Sequence, residues 1–261
     1  MKPLRRLLSK IQKRFPILSV SRMLTHNYRM FLSHRREWVK QGGPITGYKI
    51  ILDDYADKAG SNSGHYFHQD LLVASFIFEK APKRHVDVGS RVDGFVAHVA
   101  SFRQIEVLDI RPLPPSAHKN IQFIQADLMN PANIEKSDSV SCLHAIEHFG
   151  LGRYTDPIDV NGHLAGIKNL VDLVKEGGTL YISFPIGKAD EVHYNAHRVF
   201  HPQSILKVSE IDKNMRLTRF DFVDDRGGLH LNQTVESAVG RLKYGCGIYT
   251  FERVADPVHS L

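Results

Sequence analysis

Hydrophobic and polar positions change period several times along this chain. A continuous apolar stretch from Leu71 to Phe78 has the density of a buried helix. Beyond it, short β-branched and aromatic runs alternate with helical patterns, which is typical of a parallel sheet with right-handed crossovers. A second helix is expected over 161–175. The runs that predict strands cover 85–89, 105–109, 121–124, 139–143 and 179–184, with late strands near 217–223 and 247–253. The pattern therefore predicts an α/β sandwich with a seven-stranded, mostly parallel sheet.

The amino-terminal part of the chain follows a different pattern. The apolar positions that share one helical face among basic residues are Leu4, Leu7, Leu8 and Ile11. One or two amphipathic helices are expected there, before a break at Gln41–Pro44. Residues 45–64 show no helical or strand period and contain a glycine- and serine-rich stretch. We therefore divide the chain into a basic helical extension with its connection, residues 1–60, and an α/β domain, residues 61–261.

Charge separates the same two parts. Residues 1–40 hold eleven Lys and Arg and one acid, a net charge of +10, whereas the whole chain carries +6 and the remainder −4. Two interpretations of the basic segment stay open. Its leucines can pack on the domain or on a second subunit, or residues 1–15 can lie on an anionic membrane surface. No nucleic-acid partner is expected, because the basic part has no recognisable base-reading motif and the body is acidic.

Composition indicates the compartment. Two cysteines, Cys142 and Cys246, argue against a disulfide scaffold and for a reducing environment. The longest apolar run is far shorter than the ~20 residues that cross a bilayer. The first residues lack the apolar core and cleavage site of a signal peptide. We therefore expect a cytoplasmic protein, with any membrane contact peripheral at the inner face.

The stretch from Arg84 to Phe95 has the order of a buried strand, a glycine turn and a helix start, which opens many nucleotide-binding α/β domains. Gly89 ends the strand where a tight turn favours a residue without Cβ. The turn is not a dinucleotide fingerprint, because Arg91 stands in place of the second glycine. It is not a phosphate-binding P-loop either, because Phe95 stands in place of the lysine.

An acid-x-Gly turn remains at the end of this strand. It resembles motif I of the class I S-adenosylmethionine (AdoMet) methyltransferases, which implies a Rossmann-like methyltransferase sandwich with AdoMet as cofactor. The residues that the resemblance places against the cofactor here are Asp87, Gly89, Ser90, Arg91 and Gly94. Two interpretations of Arg91 stay open. Its guanidinium can pair with the methionyl carboxylate, or its side chain can block the pocket.

Acids also follow the second and third predicted strands. Asp109 lies twenty-two residues after Asp87, where a carboxylate can accept both ribose hydroxyls of a nucleoside. Asp127 follows the third strand, where methyltransferases often hold an acid that accepts the adenine amino group. A turn aspartate is the alternative for Asp127. We include the residues that follow these acids, Ile110 and Leu128, in the expected cofactor site.

The segment His144-Ala145-Ile146-Glu147-His148 matches the H-x-x-E-H zinc motif of inverzincins. That motif lies within a helix, whereas this segment follows a strand directly, so we expect no metal. It resembles instead the L-E-H segment after the fourth strand of class I methyltransferases, with a structural turn as the alternative. The resemblance implies that His144 meets the cofactor and that Glu147 and His148 face the transfer site. His148 can serve there as general base, because the reference histidine pKa of ~6.5 suits proton removal near neutrality.

Further polar residues follow the fourth and fifth predicted strands. Loops at the carboxyl ends of parallel strands carry the substrate-binding groups of α/β folds. The residues that we expect to bind substrate are Arg153, Tyr154, His193, His197 and Arg198.

Several motifs together resemble the domain-of-unknown-function family 268, a methyltransferase-like family. They cover roughly residues 60–255 and comprise Gly64–Asp70, His85–Arg91, Cys142–Gly150, Asn195–Phe200 and Tyr244–Ile248. The family is often found beside genes for surface-polysaccharide assembly. The resemblance implies an AdoMet-dependent methyltransferase, with O-methylation of a sugar or another small hydroxylated substrate as the expected reaction. A non-catalytic membrane-associated protein and a different enzyme, both on the same fold, are the alternatives.

The membrane interpretation of the basic segment makes a first prediction. Each Lys or Arg near an anionic surface contributes about 1 kcal/mol, and salt screens this attraction. Co-sedimentation with anionic liposomes should therefore fall with added salt and should be lost when residues 1–15 are deleted. Equal sedimentation with neutral and anionic liposomes would support packing on protein instead.

Overall fold

The structure, a computed structural model, describes residues 17–130 and 134–255, with side chains from residue 25 onward. The predicted apolar face from Leu4 to Ile11 lies outside these residues. The chain divides into two compact units, residues 1–61 and 62–261. Within the described ranges, no helix combines the length and the hydrophobicity that crossing a membrane requires.

The first unit is built on one long helix, α1 (Ile17–Lys40). The chain after it runs back along the helix. Helix residues progressively nearer the amino end of α1 bond to residues progressively later in the chain. These bonds join Trp38 to Pro44 (3.0 Å), Arg35 to Tyr48 (2.6 Å) and Asn27 to Leu52 (2.8 Å). Asn27 is buried. A short 3-10 turn, Asp53–Ala56, follows.

The second unit contains an eight-stranded sheet with the order β3-β2-β1-β4-β5-β10-β8-β9. The strands are β1 (His85–Val88), β2 (Ile105–Asp109), β3 (Ile121–Gln125), β4 (Ser137–Leu143), β5 (Val174–Ile186), β8 (Met215–Val223), β9 (Leu229–His230) and β10 (Gly245–Arg253). The first five run parallel, and β10 is antiparallel to both of its neighbours. The predicted α/β sandwich with a mostly parallel sheet is confirmed, with eight strands instead of seven. The additional strand, β9, forms because a turn returns the chain to the edge of β8.

Helices cover both faces of the sheet and divide the core in two. The helices are α2 (His65–Lys80), α3 (Ala97–Ala100), α4 (Gly162–Leu173) and α5 (Ser209–Asn214). Apolar residues of α2 and α3 pack with Ile105 and Val107 on one face. Those of α4 and α5 pack with Val86 and Val88 on the other. The near-continuous burial of β1 and β4 follows from this double coverage.

Two local features differ from the sequence pattern. No helix lies between β2 and β3, where residues 110–120 are irregular. Pro112, Pro114 and Pro115 explain this, since each removes a backbone donor that a helix interior needs. The chain also forms a small separate hairpin of β6 (Glu191–His193) and β7 (His197–Val199), which had no predicted counterpart.

Candidate active site

A cavity of about 600 Å³ opens where β1, β2, β3 and β4 end. Strand β1 lies between β2 and β4, so the strand order reverses there, and this is where open α/β sheets bind ligands. Most of the predicted site residues line the cavity: Gly89, Arg91, Asp109, Ile110, Asp127, Leu128, His144, Glu147, His148, Arg153, Tyr154 and His197. Asp87, Ser90, Gly94, His193 and Arg198 do not line it. The structure thus brings residues from several loops together, while their roles stay predictions.

The turn after β1 is held by a buried carboxyl group. Asp87 is fully buried and accepts hydrogen bonds from Ser90 N (3.1 Å), Ser90 Oγ (2.6 Å) and Ser141 Oγ (2.6 Å). Ser90 Oγ in turn accepts a bond from Leu143 N at 3.1 Å. The polar atoms of Asp87 and Ser90 therefore join the turn to β4. This is why these two residues shape the cavity without lining it.

Both predicted glycines of this loop are required by close packing. Gly89 has a φ of +71°, and a Cβ there would lie 2.9 Å from the Cβ of Ala145. A Cβ on Gly94 would lie 2.6 Å from Oδ2 of Asp70. Gly89 therefore lets the turn approach the segment after β4. Gly94 instead makes room for a carboxylate of α2, which explains its place outside the cavity.

Arg91 lies at the edge of the cavity. Its guanidinium pairs with Asp93 at 2.8 Å and lies 5.2 Å from the ring centroid of Tyr66. Both members of the ion pair are more than half exposed. Exposed pairs of this kind contribute ~0–1 kcal/mol, so the guanidinium can exchange Asp93 for an anionic ligand at little cost.

Asp109 is the last residue of β2 and forms an ion pair with a second arginine of the cavity, Arg111. Arg111 donates to Asp109 Oδ1 from Nε at 2.9 Å and to Oδ2 from Nη2 at 2.5 Å. The same guanidinium lies 4.5 Å from the ring centroid of Tyr154. A carboxylate has about four lone-pair sites. Arg111 N also donates to Oδ1 at 2.8 Å, so three of these sites are taken and about one is left for a hydroxyl donor from the cavity.

Asp127 organises the turn after β3. Its Oδ1 accepts a bond from Met129 N at 2.9 Å, and its Oδ2 accepts one from the side chain of Asn130 at 2.6 Å. The neighbouring Leu128 is buried, and its carbonyl accepts a bond from Asn169 at 2.7 Å. Asp127 is thus a turn aspartate that also lies in the cavity wall, and its contact with adenine stays a prediction.

The segment after β4 leaves the strand abruptly. His144 adopts a φ of +51°, and a 3-10 turn, Ile146–His148, follows. His144 Nδ1 lies 2.7 Å from Glu147 Oε1, and its ring stacks on His65 at 5.3 Å between centroids. Burial disfavours the charged form of His144, but Cys246 and Glu147 outweigh burial and raise its pKa well above the usual value. The surroundings of His144 therefore favour positive charge.

The two ring nitrogens of His148 have different roles. Nδ1 lies 2.7 Å from the carbonyl oxygen of Ala196, to which only a protonated nitrogen can donate. Arg153 donates to the same carbonyl at 2.8 Å. In the neutral ring, Nε2 is therefore the nitrogen with the lone pair, and Arg153 Nη1 lies 3.5 Å from it. Burial is the main cause that lowers the pKa of His148, so this neutral form prevails near pH 7.

Two of the predicted substrate residues have structural partners elsewhere. His193 lies on the exposed β6 and pairs with Glu191 at 2.8 Å. Arg198 is buried and donates to the carbonyl oxygens of Phe149 (2.7 Å) and Val160 (3.3 Å). It lines a separate, more apolar cavity on the other side of this segment. Arg198 therefore supports the loop after β4 from behind.

The cavity wall also contains residues that the sequence-based site did not include: His65, Tyr66, Arg111, Met129, Asp156 and Tyr244. Asp156 accepts bonds from Gly150 N (3.0 Å) and Gly152 N (3.1 Å) and so fixes the loop that carries Arg153. His65 begins α2 and Tyr244 precedes β10, so neither follows a parallel strand. The sequence-based site was built from residues that follow parallel strands, so His65 and Tyr244 were not included in it.

Family and structure comparisons agree with this geometry. A family model described as "Caenorhabditis protein of unknown function, DUF268" matches residues 119–224. The predicted resemblance to domain-of-unknown-function family 268 is thereby confirmed over that stretch. No curated protein matches the sequence.

Solved structures with the same architecture include three that cover most of this chain. The [4+2]-cyclase SpnF has a TM-score of 0.52 at 12% identity, over 83% of this chain and 91% of its own. The 1,6-didemethyltoxoflavin-N1-methyltransferase of Burkholderia thailandensis, with bound 1,6-didemethyltoxoflavin and S-adenosylhomocysteine, has a TM-score of 0.50 at 12% identity. The match covers 88% of this chain and 90% of that enzyme. Coclaurine N-methyltransferase, bound to N-methylheliamine and S-adenosylhomocysteine, has a TM-score of 0.50 at 10% identity. The match covers 96% of this chain and 99% of that enzyme. Because one of the three is a cyclase, the likeness shows the class I methyltransferase fold and not the reaction.

The buried Asp87 predicts an unusual pH dependence of stability. Burial raises its pKa to about 7, although its hydrogen-bond donors oppose the shift. A carboxyl group whose pKa is higher in the folded state stabilises the fold fully below its unfolded value of ~3.9 and loses that contribution as pH rises through 7. Between pH 4 and 8, wild type should therefore lose stability relative to Asp87→Asn, on the order of a few kcal/mol.

Chemical denaturation at several pH values measures this difference. Asp172→Asn is the matched control, because Asp172 is exposed on α4 and pairs with Lys168. Parallel stability curves for wild type and Asp87→Asn would contradict the raised pKa.

Proposed function

We propose that this protein is an AdoMet-dependent O-methyltransferase that acts on a sugar or another small hydroxylated molecule. One observation carries the proposal. A single cavity at the strand-order reversal is lined by Gly89 from the β1 turn, Asp109 from the end of β2 and His148 after β4. These three residues correspond to the cofactor turn, the ribose acid and the general base that the sequence predicted.

The residues present fit the cofactor. The volume of the cavity, about 600 Å³, is within the range of small-molecule sites. Gly89 holds the turn close to Ala145, and no Cβ intrudes at that position. Asp109 has about one lone pair left for a ribose hydroxyl, and the exposed guanidinium of Arg91 can meet the methionyl carboxylate. When bound, AdoMet supplies a methyl carbon on a sulfonium, which departs as the neutral thioether S-adenosylhomocysteine.

His148 can receive the proton that O-methylation releases. Its Nδ1–H is held by the Ala196 carbonyl, so the lone pair on Nε2 can accept a substrate hydroxyl in place of the long, 3.5 Å contact with Arg153 Nη1. As the oxygen–methyl bond forms, the hydroxyl proton passes to this nitrogen. Glu147 Oε1 lies 3.8 Å from Nε2 and can stabilise the imidazolium that results.

The acceptor side of the cavity is polar and aromatic. Arg153 and Tyr154 lie beside His148, with the Tyr154 ring edge-on to the imidazole at 5.5 Å between centroids, and His197 lies on the other side at 6.5 Å. Hydroxylated rings are recognised by such groups, because donors and acceptors can bind hydroxyls while an aromatic face covers the ring. The resemblance to a family often encoded beside surface-polysaccharide genes supports a sugar acceptor. Docking of the basic segment on an anionic membrane surface would fit that role.

Cofactor binding is the first test of this proposal. Wild type should bind AdoMet or S-adenosylhomocysteine with micromolar affinity, equivalent to ~8 kcal/mol. Asp109→Ala removes a hydrogen-bonded charge and should weaken binding by about 1.5–3 kcal/mol, roughly 10–100-fold. Calorimetric titration measures both. Asp172→Ala, which removes an aspartate from a comparable ion pair outside the cavity, should bind like wild type. A folded wild type that binds neither ligand at millimolar concentration would favour the non-catalytic alternative.

Turnover tests the role of His148. Because general-base catalysis is worth about 10²–10⁴-fold, His148→Ala should lower the rate of AdoMet consumption by that order with little change in AdoMet affinity. The assay follows S-adenosylhomocysteine formation with a panel of sugars and small alcohols. The wild-type rate should rise with pH through a pKa lower than the usual histidine value, because burial lowers that of His148. His118→Ala, an exposed histidine outside the cavity, is the control. An unchanged rate and pH profile in His148→Ala would assign the proton transfer to another group.

A further inference from the structure

We propose that His65, His144 and Cys246 form a binding site for a zinc ion. These residues come from the start of α2, the end of β4 and the β10 strand. Each offers one ligand atom, and the three atoms lie within 4.8 Å of one another. The proposal concerns metal binding alone and does not depend on the proposed methyl transfer.

The distances between the three ligand atoms, at most 4.8 Å, are somewhat longer than those between the ligands of a bound zinc ion. Zn–N distances of about 2.0–2.1 Å and a Zn–S distance of about 2.3 Å place tetrahedral ligands roughly 3.5 Å apart. A contraction of about an ångström would therefore complete the site. His65 can supply this movement, because it is only partly buried and begins a helix directly after Gly64.

His144 has the arrangement of a metal-ligating histidine. Its Nδ1 bonds Glu147 Oε1 at 2.7 Å, which keeps a proton on Nδ1, so Nε2 is the nitrogen that can bind an ion once the proton of the charged ring is released. Nε2 is buried and has no hydrogen-bond partner among the residues that the structure describes, and only 5% of the His144 side chain is exposed. A buried nitrogen without a partner costs free energy unless a ligand satisfies it. An ion bound by the cluster would provide that ligand.

The donor set selects the kind of ion. Two imidazoles and one sulfur suit zinc and similar transition metals, whereas calcium and magnesium require oxygen ligands. Cys246 is fully buried, and its thiol makes long contacts of 3.6 Å to Gln69 Oε1 and 3.8 Å to Gly247 O and also interacts with His144, whose pKa it raises. On binding, this thiol and the charged His144 ring would each lose a proton to solvent, so that sulfur coordinates as thiolate and His144 as neutral imidazole. Three protein ligands leave a fourth position for water or a substrate oxygen. His65 and His144 both line the main cavity, so the ion would lie in or beside its wall.

This site differs from the metal motif that the sequence excluded. The H-x-x-E-H motif pairs His144 with His148, whereas His148 Nδ1 is bonded to the Ala196 carbonyl and His148 is not part of the cluster. The expectation of no metal considered only that motif. The proposed ligands instead lie far apart in the chain, so their convergence depends on the fold.

Metal titration of the full-length protein, without AdoMet, tests the proposal. After treatment with a chelator, wild type should take up one equivalent of zinc, and cobalt should give a thiolate-to-metal absorption band. Cys246→Ser should abolish that band and weaken zinc binding more than tenfold. His65→Ala should also weaken binding more than tenfold, and it tests the site even if the buried cysteine variant fails to fold. Glu147→Gln should weaken binding 10–100-fold, because Glu147 orients a ligand.

Matched controls separate this site from other cysteines and histidines. Cys142→Ser changes the other buried cysteine, and His98→Ala changes an exposed histidine of α3; both should bind zinc like wild type. Absence of zinc uptake by folded wild type would overturn the proposal. So would a Cys246→Ser variant that keeps one equivalent with unchanged affinity.

Discussion

The carboxyl group of Asp87 is the constraint on which the candidate site depends. It lies within the sheet and takes bonds from Ser90 on its own turn and from Ser141 on the neighbouring strand. Ser90 then binds the backbone of Leu143, the last residue of β4. The turn after β1 and the end of β4 are therefore fixed relative to each other by a fully buried network. Because such networks are costly when incomplete, they define one arrangement of the backbone.

That arrangement determines how the segment after β4 enters the cavity. With β4 held against the β1 turn, His144 takes a left-handed conformation and the next residues form a single 3-10 turn. The two histidines of the segment then acquire different environments. His144 turns toward Glu147, His65 and Cys246, whereas His148 turns toward the Ala196 carbonyl and Arg153. One short sequence thus provides two separate functional groups on neighbouring parts of the same wall.

Arginines mark the outer part of the cavity. Arg91, Arg111 and Arg153 all line it, and each lies within about 5 Å of a tyrosine ring, either Tyr66 or Tyr154. A guanidinium over an aromatic face keeps its charge while its planar group is ordered. The rim therefore presents positive charge from preorganised side chains. Acidic partners such as Asp93 and Asp109 balance part of this charge in the absence of an anion.

The sequence by itself determined the sheet, the acid-x-Gly turn and the positions of Asp109 and His148, because hydrophobic period and turn chemistry are local properties of the chain. It placed seven strands of the main sheet to within a few residues except for β5, which begins earlier, and it missed β9 and the hairpin of β6 and β7. Only the tertiary structure decided that Asp87 faces Ser141 instead of the cavity, and that Arg198 supports a loop from behind. The same holds for His65, His144 and Cys246, which the strand order brings together from distant parts of the chain. Such contacts depend on which strands become neighbours, and no local pattern encodes that choice.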